Sequence, residues 1–145
     1  MSAARLSSAE YQELAEFRYQ IRRFLNFSEN AAVQEGLEPR QHQALLAIKA
    51  VPATQTCSIG DLAKSLFLQH QSTVGLVDRL ELRNLVRRSA SPHDGRQVIL
   101  TLTAHGEEVL QRLSLTHRDE LEQSAPQLSR ALQALMRRRT KSQTK

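Results

Sequence analysis

Only one cysteine, Cys57, occurs in the 145 residues, so no disulfide can close within the chain, which suits a reducing compartment. An intermolecular bridge or a redox-active thiol stays open. No stretch approaches the roughly eighteen consecutive apolar residues of a membrane span. The start, MSAARLSSAEYQEL, is polar and lacks the apolar segment of a signal peptide. These absences predict a soluble, cytoplasmic protein with no membrane partner. Signatures of catalysis are missing as well: there is no G-x-S-x-G, no Gly-rich phosphate loop, and no close Cys–His or carboxylate constellation. The five histidines, His42, His70, His93, His105 and His117, show no metal-ligand spacing. The chain is therefore expected to be no enzyme and to need neither metal nor cofactor.

What is present is a chain long enough for one domain, 40% hydrophobic, with a net charge of +5. That charge is local. Arg137, Arg138, Arg139, Lys141 and Lys145 carry five positive charges with no acid among them, and without them 15 basic residues face 15 acidic ones. Distribution says more than the total. Residues 79–96 hold five arginines against Glu81 and Asp94, whereas residues 107–122 hold five acids against Arg112 and Arg118.

Apolar residues Leu14, Phe17, Ile21, Phe24, Leu25 and Ala32 recur at helical spacing and predict a long amphipathic helix over about 8–34, stopped by Gly36. Pro39 suits the first position of a second helix, which QALLAIKAV continues until Pro52. PATQTC reads as a loop. Ser58 and Asp61 have the spacing of a capping box and start a short helix, about Ile59 to Leu66. STVGLVDRLELRN follows as another helix, with Val74, Val77, Leu80 and Leu85 directed inward and Asn84 suited to the left-handed end. LVRRSAS and QVILTLT read as two short strands around the turn SPHDG. Thr103 can cap a further helix bearing Val109, Leu110, Leu113 and Leu121, and Pro126 is expected to open a last one before a fraying tail.

Two short helices and then a hairpin make a winged helix-turn-helix: the second helix enters the major groove and the hairpin reaches beside it. The stretch STVGLVDRLELRNLVRRSASPHDGRQVILTLTAHG, with Asp94 and Arg96 in the wing, Leu102 and Thr103 after it, and Gly106, closely resembles the MarR family of winged-helix transcriptional regulators. LEPRQHQALLAI is similar to that family's second helix. The match covers about residues 37–106. Departures are Glu38 in place of a common Thr, Asn84 in place of a common Gly, and Gly75 inside the recognition helix at a cost of about 1 kcal/mol.

The resemblance implies a mainly α fold with a small β-hairpin wing, read as a single chain over 1–145. It has dimerisation helices at 8–36 and 104–139, a winged helix-turn-helix lobe at 37–103 and a basic tail at 140–145. It further implies a homodimer on double-stranded DNA. Such a dimer is a repressor of a pseudo-palindromic site, released by a small aromatic or phenolic anion.

For DNA the candidates are Gln69, His70, Gln71, Ser72 and Thr73 at the start of the recognition helix, where Gln can pair with adenine and hydroxyls reach phosphate or base edges. Ser58 can hold a phosphate or simply cap its helix. Arg96 at the wing tip can enter a narrow minor groove. Asp94 is expected to pair with an Arg and orient the wing. Arg87, Arg88 and His93 are candidates for the DNA backbone, with strand alternation letting only one of the two arginines face it. Arg79 and Arg83 share a helix face, one for phosphate and one for an internal salt bridge. For an effector the candidates are Tyr11, Arg18, Tyr19, Arg22 and His42, against the plainer reading of Arg18 as a stem covering apolar surface. Two other readings stand beside these: an oxidant-responsive regulator acting through Cys57, and a winged helix used only for protein interaction.

Overall fold

The computed structural model describes the backbone of residues 4–142 and the side chains of residues 4–137. In chain order the elements are α1 (Ser8–Gln34), α2 (Pro39–Lys49), β1 (Cys57–Ser58), α3 (Ile59–Leu66), α4 (His70–Leu82), β2 (Val86–Ala90), β3 (Val98–Leu102) and α5 (Ala104–Ser142). No helix among the described residues is long and apolar enough to cross a membrane. The mainly helical class with a β-hairpin is as expected, and Gly36 ends α1 at φ 77°, a conformation glycine takes without steric cost.

Two elements differ from the sequence reading. PATQTC is not loop throughout, because Cys57 pairs with Leu100 and Ser58 with Ile99, making the hairpin a three-stranded antiparallel sheet of order β1-β3-β2. Pro126 does not open a new helix. It lies inside α5, which is continuous from Ala104 to Ser142. An internal proline removes one N–H from the helix ladder. α5 also passes residue 139, the expected end. The side chains of the expected basic tail lie outside the described residues.

The chain forms two compact units. The unit of residues 30–115 holds a core of Leu45 from α2, Leu62 from α3, Leu76, Val77 and Leu80 from α4, then Leu85, Val86, Leu100 and Leu113, all buried. Each such side chain contributes about 1.5–3 kcal/mol. On α4 the inward face is Thr73, Leu76, Val77 and Leu80, whereas Val74, expected inward, is only half-buried.

Residues 80–85 leave α4 through Asn84 at φ 55°, the left-handed end expected of it. Thr103 caps α5 by accepting from the Gly106 N–H at 3.0 Å, while its own hydroxyl donates to the Asn84 carbonyl at 2.6 Å. Gly106 thereby presses on the backbone of Leu85, and a Cβ at 106 would collide with the Leu85 carbonyl.

The unit of residues 1–29 and 116–145 packs His117 edge-on against Phe24 and Phe27, with centroids at 6.0 and 5.6 Å, and seats its ring nitrogen 2.7 Å from the Ser28 hydroxyl. Leu14, Leu25 and Leu132 in this unit remain exposed.

Candidate nucleic-acid interface

Ser58 starts α3 by a reciprocal cap. Its hydroxyl accepts from the Asp61 N–H at 3.1 Å, and the Asp61 carboxylate accepts from the Ser58 N–H at 3.0 Å. These bonds hold the Asp61 carboxyl below its ordinary value, the backbone donor contributing most. α3 ends at Phe67 in the left-handed conformation, and three residues later α4 begins, with Gln69 as its N-cap in extended backbone.

Gln69, His70, Gln71 and Ser72 are all exposed at this start, as polar groups offered to a groove would be. Thr73 is not among them. It is fully buried and its hydroxyl donates to the Gln69 carbonyl at 2.9 Å, because a helical position four residues on from the N-cap falls on the core side here.

The wing loop is closed by Ser91, whose N–H donates to the Gln97 carbonyl at 2.8 Å. The buried Ser91 hydroxyl accepts from the N–H groups of His93 at 3.3 Å and Asp94 at 3.4 Å. Among the described residues Asp94 forms no salt bridge with an arginine, contrary to expectation; its carboxylate accepts from the Arg96 N–H at 3.0 Å. Two residues is the reach of an Asx turn, which makes Asp94 a shaper of the tip. His93 and Arg96 are left exposed there. Ser91 escaped the sequence reading, although a serine two and three positions before the N–H groups it serves is a turn signal.

The basic stretch sorts into two kinds of arginine. Arg88 reaches Asp78 at 2.7 Å and Glu81 at 2.9 Å, Arg79 reaches Glu38 at 3.2 Å, and Arg83 donates to the Gly36 carbonyl and to Gln41 Oε1 at 3.2 Å. Arg79 thus takes the internal salt bridge expected of one of the pair Arg79 and Arg83, and Arg83 and Arg88 also have partners within the lobe, while Arg79 and Arg83 stay exposed. The same Gln41 Oε1 accepts from the Glu38 N–H at 3.0 Å and so caps α2 from its third position. Arg87 and Arg96 are exposed and form no salt bridge among the described residues. As alternation along β2 requires, only one of the neighbouring pair Arg87 and Arg88 points outward, and it is Arg87. The lobe thus exposes the polar start of α4, the guanidinium groups of Arg87 and Arg96, and His93.

Tyr11, Arg18, Tyr19 and Arg22 are exposed on α1, and His42 is buried in α2 of the other unit. A cavity of about 230 Å³ in the lobe is lined by none of them; Ile48, Val51, Cys57, Leu100 and Leu102 line its apolar part, with Lys49 and Glu107 paired at 2.8 Å. Cys57 sits in β1, not in a loop, and is buried. Burial first, and the Asp61 charge second, push its thiol up, so it stays protonated and weakly nucleophilic at neutral pH.

Comparison with known proteins places these features among relatives. A sequence profile of the MarR family matches residues 35–97. The transcriptional activatory protein BadR of Rhodopseudomonas palustris is 31% identical over 97 residues, which is 66% of this chain and 55% of BadR. The chain thus spans about half the length of that curated relative, and 36% and 42% of two Bacillus subtilis regulators it also matches. Among solved structures, AbsC of Streptomyces coelicolor, a MarR family transcriptional regulator, superposes with a TM-score of 0.74 at 19% identity, covering 99% of this chain and 100% of AbsC. The S. aureus MepR–DNA complex superposes with a TM-score of 0.67 at 20% identity, covering 97% and 98%.

Proposed function

The chain belongs to the MarR family of winged-helix regulators, and on that premise we propose that it binds double-stranded DNA sequence-specifically as a homodimer and regulates transcription. One observation carries the reading: exposed Gln69, His70, Gln71 and Ser72 at the start of α4 stand with unpaired Arg87 and Arg96 in one lobe. Polar groups for base edges and free cations for phosphate are the two components a DNA reader needs. The superposing MepR structure is a DNA complex, which supports the same use of the fold.

Dimerisation is supported by the apolar residues left exposed on the terminal helices, Leu14, Leu25 and Leu132 among them. A second copy covers them, in helices 8–36 and 104–139, and sets two lobes on a pseudo-palindrome. The bound dimer acts as a repressor released by a small aromatic or phenolic anion. Tyr11, Arg18 and Arg22, seven and four residues apart, share a side of α1 that can meet such an anion. The name of BadR, an activatory protein, favours a second reading in which the bound dimer activates. Reporter expression with and without the protein separates the two signs.

Titration of duplex DNA at rising salt tests the central reading. Counterion release makes the affinity fall steeply, with a logarithmic slope of about −0.9 for each phosphate contacted. An affinity indifferent to salt contradicts it and leaves the protein-interaction use of the winged helix.

A further inference from the structure

Phe67 closes α3 at φ 54° and ψ 41°, and its side chain is 96% exposed. Both features work against stability. An L-residue with a Cβ is strained in the left-handed region, where Gly or Asn is the low-cost occupant. The only other described non-glycine residue at positive φ is Asn84, the residue type that rule expects. A ring at 96% exposure gains almost nothing from the core, so folding gives no reason for phenylalanine here.

The position does. Phe67 is in the turn of the helix-turn-helix, two residues before Gln69 and three before His70. The start of the second helix is the part that enters the major groove, so the turn preceding it stands at the groove's edge. Gln69, His70, Gln71 and Ser72 supply donors and acceptors but no apolar surface. The apolar feature of the major groove is the thymine methyl group, which aromatic side chains contact.

We propose that Phe67 is a specificity-determining residue whose ring packs on a thymine methyl at the edge of each half-site. The inference rests on α4 being the recognition helix, and it adds an apolar reader to the polar ones.

Phe67→Gly is the informative variant, because glycine suits the backbone and removes the ring. Its melting temperature is expected to equal or exceed that of the parent, which separates lost recognition from lost folding. Parent and variant are each used to select from random-sequence duplexes. The parent's motif is expected to hold a thymine in each half-site that the variant's motif lacks. Replacing that thymine by uracil, which deletes the methyl and keeps the pairing, is expected to weaken the parent about fourfold, the worth of one buried methyl. The variant's affinity stays unchanged by the same replacement. An identical thymine preference in both proteins overturns the proposal. So does an equal loss on every sequence, which means the ring packs on the sugar–phosphate backbone. A parent that selects no duplex overturns the DNA-binding reading itself, whereas a parent that selects a motif shared by the variant overturns this inference alone.

Discussion

Arg88 of β2 and Asp78 of α4 meet at 2.7 Å, joining the wing to the recognition helix, and Glu81 one turn on takes the other guanidinium nitrogen at 2.9 Å. The Arg88 side chain is only 24% exposed, so the fork is partly shielded. Arg88→Ala leaves two carboxylates without their cation and is expected to cost about 1 kcal/mol in a denaturation titration. DNA affinity falls with it, because the wing loses its fixed angle to α4. An Arg88→Ala protein as stable as the parent would show the fork to be idle.

Arg96 is exposed at the tip shaped by Ser91 and Asp94, with no salt bridge of its own among the described residues. Arg96→Ala is expected to weaken DNA binding about tenfold, with a logarithmic salt slope shallower by about 1. The melting temperature and the mass in solution stay those of the parent. Unchanged binding would remove the wing tip from the interface.

The α3 cap predicts a dependence on acid. Bonds from Ser58 hold the Asp61 carboxyl below its ordinary value in the folded chain. The stabilisation is therefore complete above the ordinary carboxylate range, about pH 4, and is lost as pH falls through the lower folded value. Asp61→Ala, which removes the carboxylate that accepts from the Ser58 N–H, is expected to cost about 0.5–1 kcal/mol at neutral pH. The difference between the two proteins narrows below about pH 4. A gap that is constant with pH would mean that the charge of the carboxylate does not stabilise the cap.

Cys57 predicts indifference to oxidants. Buried in β1, with its thiol pushed up by burial and by the Asp61 charge, it is expected to react with a thiol reagent slowly in the native protein and rapidly in denaturant. Peroxide treatment leaves DNA binding unchanged. Loss of binding on oxidation, absent in Cys57→Ala, would restore the oxidant-responsive reading.

Local chemistry was readable without coordinates where both partners lie within a few residues. The Ser58–Asp61 cap, the left-handed Asn84 and the bounds of α1 and α3 all rest on spacing of one turn or on the backbone preference of a single residue. What escaped depends on distant partners or on very short elements. β1 is two residues long and too brief for alternation to show. Arg79 finds Glu38 forty-one positions away, and Arg83 finds Gln41 forty-two away, partners that charge density along the chain does not reveal. Thr73 sits in a polar run, yet the rotation of α4 turns it into the core.

The central claim, a dimeric reader of duplex DNA, is met most directly by selecting random-sequence duplexes with the purified protein and sequencing those retained. Two α4 helices in successive major grooves require a pseudo-palindrome whose half-sites are centred about 10 bp apart or a multiple of that. Enrichment of such a sequence is the predicted result. A lone half-site, or no enrichment above background, would contradict the account.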